Sequence, residues 1–137
     1  MQEVPKLDLP EKDTPGHEVS GEEILLKAAP WFQGLPVAMT VCDQDGRIVW
    51  MNDKSIQMFV KRGGRELIGK SLFDCHGERS GKILRDLLVG QKANCYTIEK
   101  AGIKKMIYQA PWYDGDRFGG LVEIVFEVPF DMPHFQR

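Results

Sequence analysis

LPVAMTVCDQDGRIVWMN, residues 35–52, reads as a β-hairpin that runs directly into a helix. Pro36 to Asp43 is apolar with β-branched residues at alternate places, which suits a half-buried strand. Gln44-Asp45-Gly46 is turn chemistry, with Gly46 able to supply a positive φ, and Arg47 to Asn52 is the returning strand. Asn52 then stands just ahead of DKSIQMF, residues 53–59. An Asn there is a natural N-cap, because its side-chain oxygen can accept an amide of the first helical turn that has no intrahelical partner.

Working outward, the first 19 residues carry Pro5, Pro10, Pro15 and Gly16 among charged side chains and no apolar periodicity, so they read as a flexible N-terminal arm. Ser20-Gly21-Glu22-Glu23 is a capping box. Ile24, Leu25, Ala28, Trp31 and Phe32 follow at helical spacing and predict an amphipathic helix from about 21 to 33, within a segment 20–34 that Gly34 and Pro36 close. After the hairpin, the pattern predicts a helix over 53–60, a turn at 61–64, a helical turn Arg65–Ile68 ending at Gly69, and an irregular link KSLFDCHG. Ser80 is the expected cap of the next helix, whose Ile83, Leu84, Leu87 and Leu88 share one face and whose end Gly90 marks. Three strands then follow: Asn94–Lys100, Lys104–Tyr113 and Leu121–Val128, with turns at Ala101-Gly102 and at Asp114-Gly115-Asp116 with Gly119-Gly120. In the last strand Val122, Ile124, Phe126 and Val128 alternate with Leu121, Glu123, Val125 and Glu127, giving one wholly apolar face and one mixed face. The mixed face is expected on the outside, with Leu121 and Val125 partly covered by the helix at 21–33.

Composition excludes several classes. The chain has 137 residues, the size of one domain, and 42% hydrophobic content supports an ordinary core. A net charge of −2 without long blocks of one sign argues against nucleic-acid binding. No apolar run approaches the roughly 20 residues of a membrane span, and the N-terminus lacks the pattern of a signal peptide, so the expected location is cytoplasmic, with no membrane partner. Cys42, Cys75 and Cys95 are an odd count without a CxxC pair, which suits reduced thiols and gives no zinc site.

Hairpin, Asn, helices and three further strands, with the Arg65-Glu66-Leu67-Ile68-Gly69-Lys70 turn between, resemble the PAS domain family over about residues 21–128. DCHGERS, YTIEKAG, IYQAPWYDG and EVPFDMPHF are similar to a small bacterial subgroup of nearly stand-alone PAS proteins. The resemblance implies an α+β fold: a five-stranded antiparallel sheet with helices on one face and an N-terminal amphipathic helix on the other. The PAS domain is then expected over 35–129, with a C-terminal tail over 130–137. It further implies a sensor or interaction module in signal transduction, binding a small ligand or a partner protein, without catalytic activity of its own. Nothing matches the helix around the reactive cysteine of the flavin photoreceptor branch, so flavin is disfavoured. The sequence ends nine residues after Val128, from which output is expected to pass through a signalling partner or through self-association.

Cys75-His76 is the pair of most chemical interest in the chain. A neutral imidazole is a common haem ligand, and in haem-binding PAS domains the axial histidine lies in the helical segment, where His76 falls. A haem-bound gas or redox sensor using His76 is therefore an alternative. The plainer reading is that His76 hydrogen-bonds the loop before the helix at 80–89. A cysteine-dependent enzyme using Cys75 is a weaker alternative, because sequence neighbours seldom point at each other and no orienting acid is evident. Phe59, Leu84, Leu88, Tyr96 and Trp112 join Cys75 and His76 as candidate pocket residues, although aromatics on strands more often are plain core. Ile24, Leu25, Ala28, Phe32, Leu121 and Val125 are the candidate interface of a homodimer.

Overall fold

The computed structural model of the protein describes residues 30–137. Residues 21–29 of the predicted helix, with Ile24, Leu25 and Ala28, the capping box at 20–23 and the arm at 1–19 lie outside the described residues. The described chain opens with a short helix, α1 (Pro30–Gly34), and enters the hairpin formed by β1 (Ala38–Cys42) and β2 (Ile48–Met51). Helix α2 (Asp53–Met58) follows at once; a 3-10 turn, Val60–Arg62, occupies the predicted end of that helix and the start of the turn after it, and a second, Gly64–Leu67, forms at the predicted helical turn Arg65–Ile68. Helices α3 (Leu72–Cys75) and α4 (Glu78–Gly90) complete the helical segment. Strands β3 (Asn94–Lys100), β4 (Ile103–Asp114) and β5 (Arg117–Val128) close the chain.

All five strands form one antiparallel sheet in the order β2-β1-β5-β4-β3. The last strand thus inserts beside the first, and the helices between β2 and β3 lie across one face. This is the expected α+β architecture. Among the described residues no helix is long and apolar enough to cross a membrane.

Asn52 makes the hairpin and the helices one unit. It is 0% exposed, and its side chain forms four hydrogen bonds. Oδ1 accepts the amide of Met39 at 2.9 Å and that of Ser55 at 3.0 Å, while Nδ2 donates to the carbonyls of Phe32 at 3.0 Å and Val37 at 2.7 Å. The helix cap expected from sequence is therefore present, and the same residue also holds the start of β1 and the end of α1.

The turn at Gly46 forms as expected, with φ +81°. Asp43 Oδ1 accepts the amides of Asp45 and Arg47 across it, and a Cβ on Gly46 would lie 2.7 Å from the Phe73 ring. The turn after β3 places both Ala101 and Gly102 at positive φ, the type I′ pattern that matches strand twist.

Three expectations need correction. Ser80 does not cap α4: the cap is Gly77 and the helix begins at Glu78, with Gln91, at φ +50°, rather than Gly90 in the left-handed cap position. Gly119 and Gly120 are inside β5 rather than in a turn. A Cβ on Gly119 would lie 2.4 Å from the Trp112 ring, and one on Gly120 would lie 2.0 Å from the Cys42 carbonyl oxygen. The two glycines serve close approach, a role that turn statistics cannot separate from turn formation.

The third correction concerns the sheet faces. Pairing of Ala38 with Val125 and Thr40 with Glu123 puts the mixed face of β5 toward the helices and the wholly apolar face outward. Leu121, 5% exposed, packs with Cys42, Leu84, Leu87 and Leu88, and Val125, 7% exposed, with Ala38 and Ile107. Neither is available to a dimer partner. The helical leucines need apolar partners on the sheet, and Leu121 supplies one.

Asn52→Ala is expected to lower the unfolding free energy by about 3 kcal/mol or more, because two amides and two carbonyls lose their partner in the interior. Urea unfolding of the two proteins measures this, and a loss below about 1 kcal/mol contradicts the role given to Asn52.

Candidate functional site

The helical segment stands off the sheet enough to leave a cavity of about 590 Å³. That volume is within the usual range for small-molecule sites. Its sheet wall is built from Thr40 and Cys42 on β1, Asn94 and Tyr96 on β3, Gln109 on β4, and Leu121 and Glu123 on β5. Ile48 and Met51 on β2 extend that wall. The helical wall consists of Phe59, Arg62, Leu67 and Leu72, then Cys75 and His76 at the end of α3, and Ser80, Ile83, Leu84 and Leu87 on α4.

A polar row crosses the apolar sheet wall. Cross-strand register sets Asn94 opposite Gln109, Gln109 opposite Glu123, and Glu123 opposite Thr40. Asn94 Nδ2 donates to Gln109 Oε1 at 3.1 Å, and Gln109 Nε2 donates to Glu123 Oε2 at 2.8 Å. An ionised carboxylate only accepts, so Glu123 fixes the orientation of both amides. Thr40 and Ser55 share a buried hydroxyl hydrogen bond of 2.6 Å at the end of the row. Burial, and after it the Glu123 charge, push the Tyr96 phenol up from its ordinary 10.0, so Tyr96 presents a protonated hydroxyl.

Of the expected pocket residues, Phe59, Cys75, His76, Leu84 and Tyr96 line the cavity. Leu88 does not: it packs with Cys42 and Leu121 in the core beside it. Trp112 does not either. It pairs with Gly120, lies over Gly119 and donates Nε1–H to the Cys42 carbonyl at 3.0 Å. The bulge between Trp112 and Tyr113 belongs to the same stretch.

His76 is exposed, and its Nδ1 is 2.6 Å from the Leu72 carbonyl. A carbonyl only accepts, so Nδ1 carries the proton and Nε2 keeps its lone pair when the ring is neutral. The hydrogen bond is the one the plainer reading called for, made back into α3 rather than forward into α4. Cys75 and Cys95 are exposed thiols and Cys42 is buried. Among the described residues no group of three or more His, Cys, Asp or Glu could hold a metal ion.

Sequence reasoning missed Glu123, Gln109, Asn94, Thr40 and Arg62. The signal available for the first four was a polar residue at a core-facing position in each of four strands. It is readable only once the register is known.

A PAS domain family profile matches residues 36–107. This chain belongs to the PAS domain family. The PAS domain of Bordetella pertussis BvgS is 14% identical, with a TM-score of 0.56 over 72% of this chain and 82% of that one. The PAS domain of histidine kinase ThkA is 18% identical, with a TM-score of 0.55 over 66% of this chain and 97% of that one. The Aer2 receptor from Vibrio cholerae, described as a dual PAS-heme oxygen sensor, is 13% identical, with a TM-score of 0.51 over 68% and 95%. At such identities the likeness is one of fold. No curated protein matches the sequence significantly.

Burial pushes the Cys42 thiol up from its ordinary 9.0, with the Asp43 and Glu123 charges adding and a hydrogen bond from the Leu121 backbone opposing. Mild alkylation of the native protein is therefore expected to modify Cys75 and Cys95 and to spare Cys42 until unfolding; prompt labelling of all three contradicts the packing described. The raised thiol contributes stability that is intact below pH 9.0 and is lost as pH rises through its folded value, since only the unfolded chain ionises freely there.

Proposed function

We propose that the protein is a signal-transduction sensor that binds a small molecule in the cavity between sheet and helices and acts through binding, without catalysis. The observation that carries this reading is the cavity itself: an apolar chamber of about 590 Å³ crossed by an ordered row of polar groups. Apolar walls provide affinity, and a few fixed polar groups provide orientation and selectivity. The named PAS relatives, domains of a histidine kinase and of a receptor, support a role in signalling.

The mechanism is a population shift. A ligand that binds one arrangement of the segment from α2 to α4 more tightly than another favours it by that difference in affinity. The change reaches β1 through Asn52, which contacts α2 and the start of the sheet together. Output passes to a partner protein or a second copy, in a cytoplasmic setting. The dimer surface combines Ile24, Leu25, Ala28 and Phe32 with the apolar outer face, now Val122, Ile124 and Phe126 in place of Leu121 and Val125. Light scattering is expected to give a dimer that both Leu25→Glu and Ile124→Glu weaken, and a wild-type monomer contradicts this part.

Solvent extraction of the natively purified protein, followed by mass spectrometry, is expected to release a bound small molecule. Leu84→Trp, which fills the cavity, is expected to cut its amount about tenfold or more, equivalent to about 1.4 kcal/mol of lost binding. Equal yields from the two proteins contradict binding in this cavity.

His76 favours a second reading. With Nδ1 bound to Leu72 and Nε2 uncommitted at the cavity wall, His76 would hold a haem iron, and the haem would then supply gas or redox sensitivity. Protein from cells supplied with a haem precursor would show a Soret-type band that His76→Ala abolishes; a featureless spectrum removes this reading and leaves the first.

A further inference from the structure

The sheet wall of the cavity selects the charge of what binds there. Glu123 is half-buried, and one of its oxygens is taken by Gln109 Nε2–H. Among the described residues no cation lies within ion-pair distance of it. The cavity's other charged side chain, Arg62, comes from the helical wall and is exposed. One N–H of each amide in the row is engaged, that of Asn94 on Gln109 and that of Gln109 on Glu123. The charged group on offer at the sheet wall is a partly desolvated carboxylate beside apolar surface. A carboxylate so placed attracts a cationic N–H donor and repels an anion.

We propose, building on the ligand-binding reading above, that the cavity takes a small organic amine. Its ammonium group rests on Glu123, and its apolar body lies against Leu72, Leu84 and Leu87. Tyr96, held protonated, adds a neutral hydroxyl at the same wall and does not compete for the cation. The amide row keeps the carboxylate aimed into the cavity, so charge selection is fixed before the ligand arrives.

Three probes of one shape test this: 3-phenylpropylamine, 3-phenylpropan-1-ol and 3-phenylpropionate, each titrated into the full chain at pH 7 and followed through the methyl resonances of Leu84 and Leu87. The amine is expected to bind about tenfold or more tighter than the alcohol, the gain of one charge-assisted hydrogen bond in a partly dry site, and the carboxylate weakest of the three. Glu123→Gln keeps an acceptor for Gln109 and is expected to erase the difference between amine and alcohol. The wild-type comparison stands without that variant. If the alcohol or the carboxylate binds as tightly as the amine, the amine assignment is overturned while the cavity remains a binding site. If none of the three moves the Leu84 and Leu87 resonances, the binding reading itself is overturned.

Discussion

One buried amide holds this domain together. Asn52 has two donor hydrogens and two acceptor lone pairs, and all four are used, on Phe32, Val37, Met39 and Ser55. A buried amide with an unmet group is costly, whereas one that is fully met accepts only one arrangement of its partners. That is why the end of α1, the start of β1 and the first turn of α2 meet at one point. The constraint is geometric more than energetic. No other residue type presents two donors and two acceptors on so short a stem.

Everything downstream inherits that placement. Fixing α2 against β1 starts the helical segment on one face of the sheet. The register of β1 with β5 then decides which side chains of β5 look at the helices. Leu121 and Val125 go inward and fill the two ends of the helix–sheet contact, and Glu123 between them faces the cavity. Gln109 and Asn94 orient that carboxylate from the neighbouring strands. The core is thus divided by a polar row, and the division borders the cavity. Gly119 and Gly120 complete the frame at the other end, letting Trp112 lie flat and the Cys42 carbonyl approach β5.

Local chemistry made much of this legible from sequence. The hairpin, its Gly46 turn, the Asn52 cap and the leucine face of α4 all depend on residues near one another in the chain, and their period and turn chemistry state them directly. The sheet faces were not legible in the same way. Val122, Ile124, Phe126 and Val128 form the more apolar row of β5, and hydropathy alone assigns such a row to the core. Here the inner face carries a glutamate because it borders a cavity, so the usual inference from alternation inverts. Trp112 misled for a related reason: aromatics suit pockets, but this indole is spent on two glycines and a carbonyl 70 residues away in sequence. His76 and Cys75 line the cavity, and their place at the end of α3 follows from chain order.

The outer face of the sheet and the inner cavity are built from the same strands. Alternate residues of β5 look in opposite directions, so Glu123 faces the cavity while Val122 and Ile124 lie on the outer face. Asn52 ties the first of those strands to the helical segment. Native-state hydrogen exchange at the Met39 and Ser55 amides, the two that donate to Asn52 Oδ1, tests this most directly. The account predicts that both exchange only through global unfolding, as slowly as the central amides of β5. Exchange of either through local opening, while β5 stays protected, would contradict it.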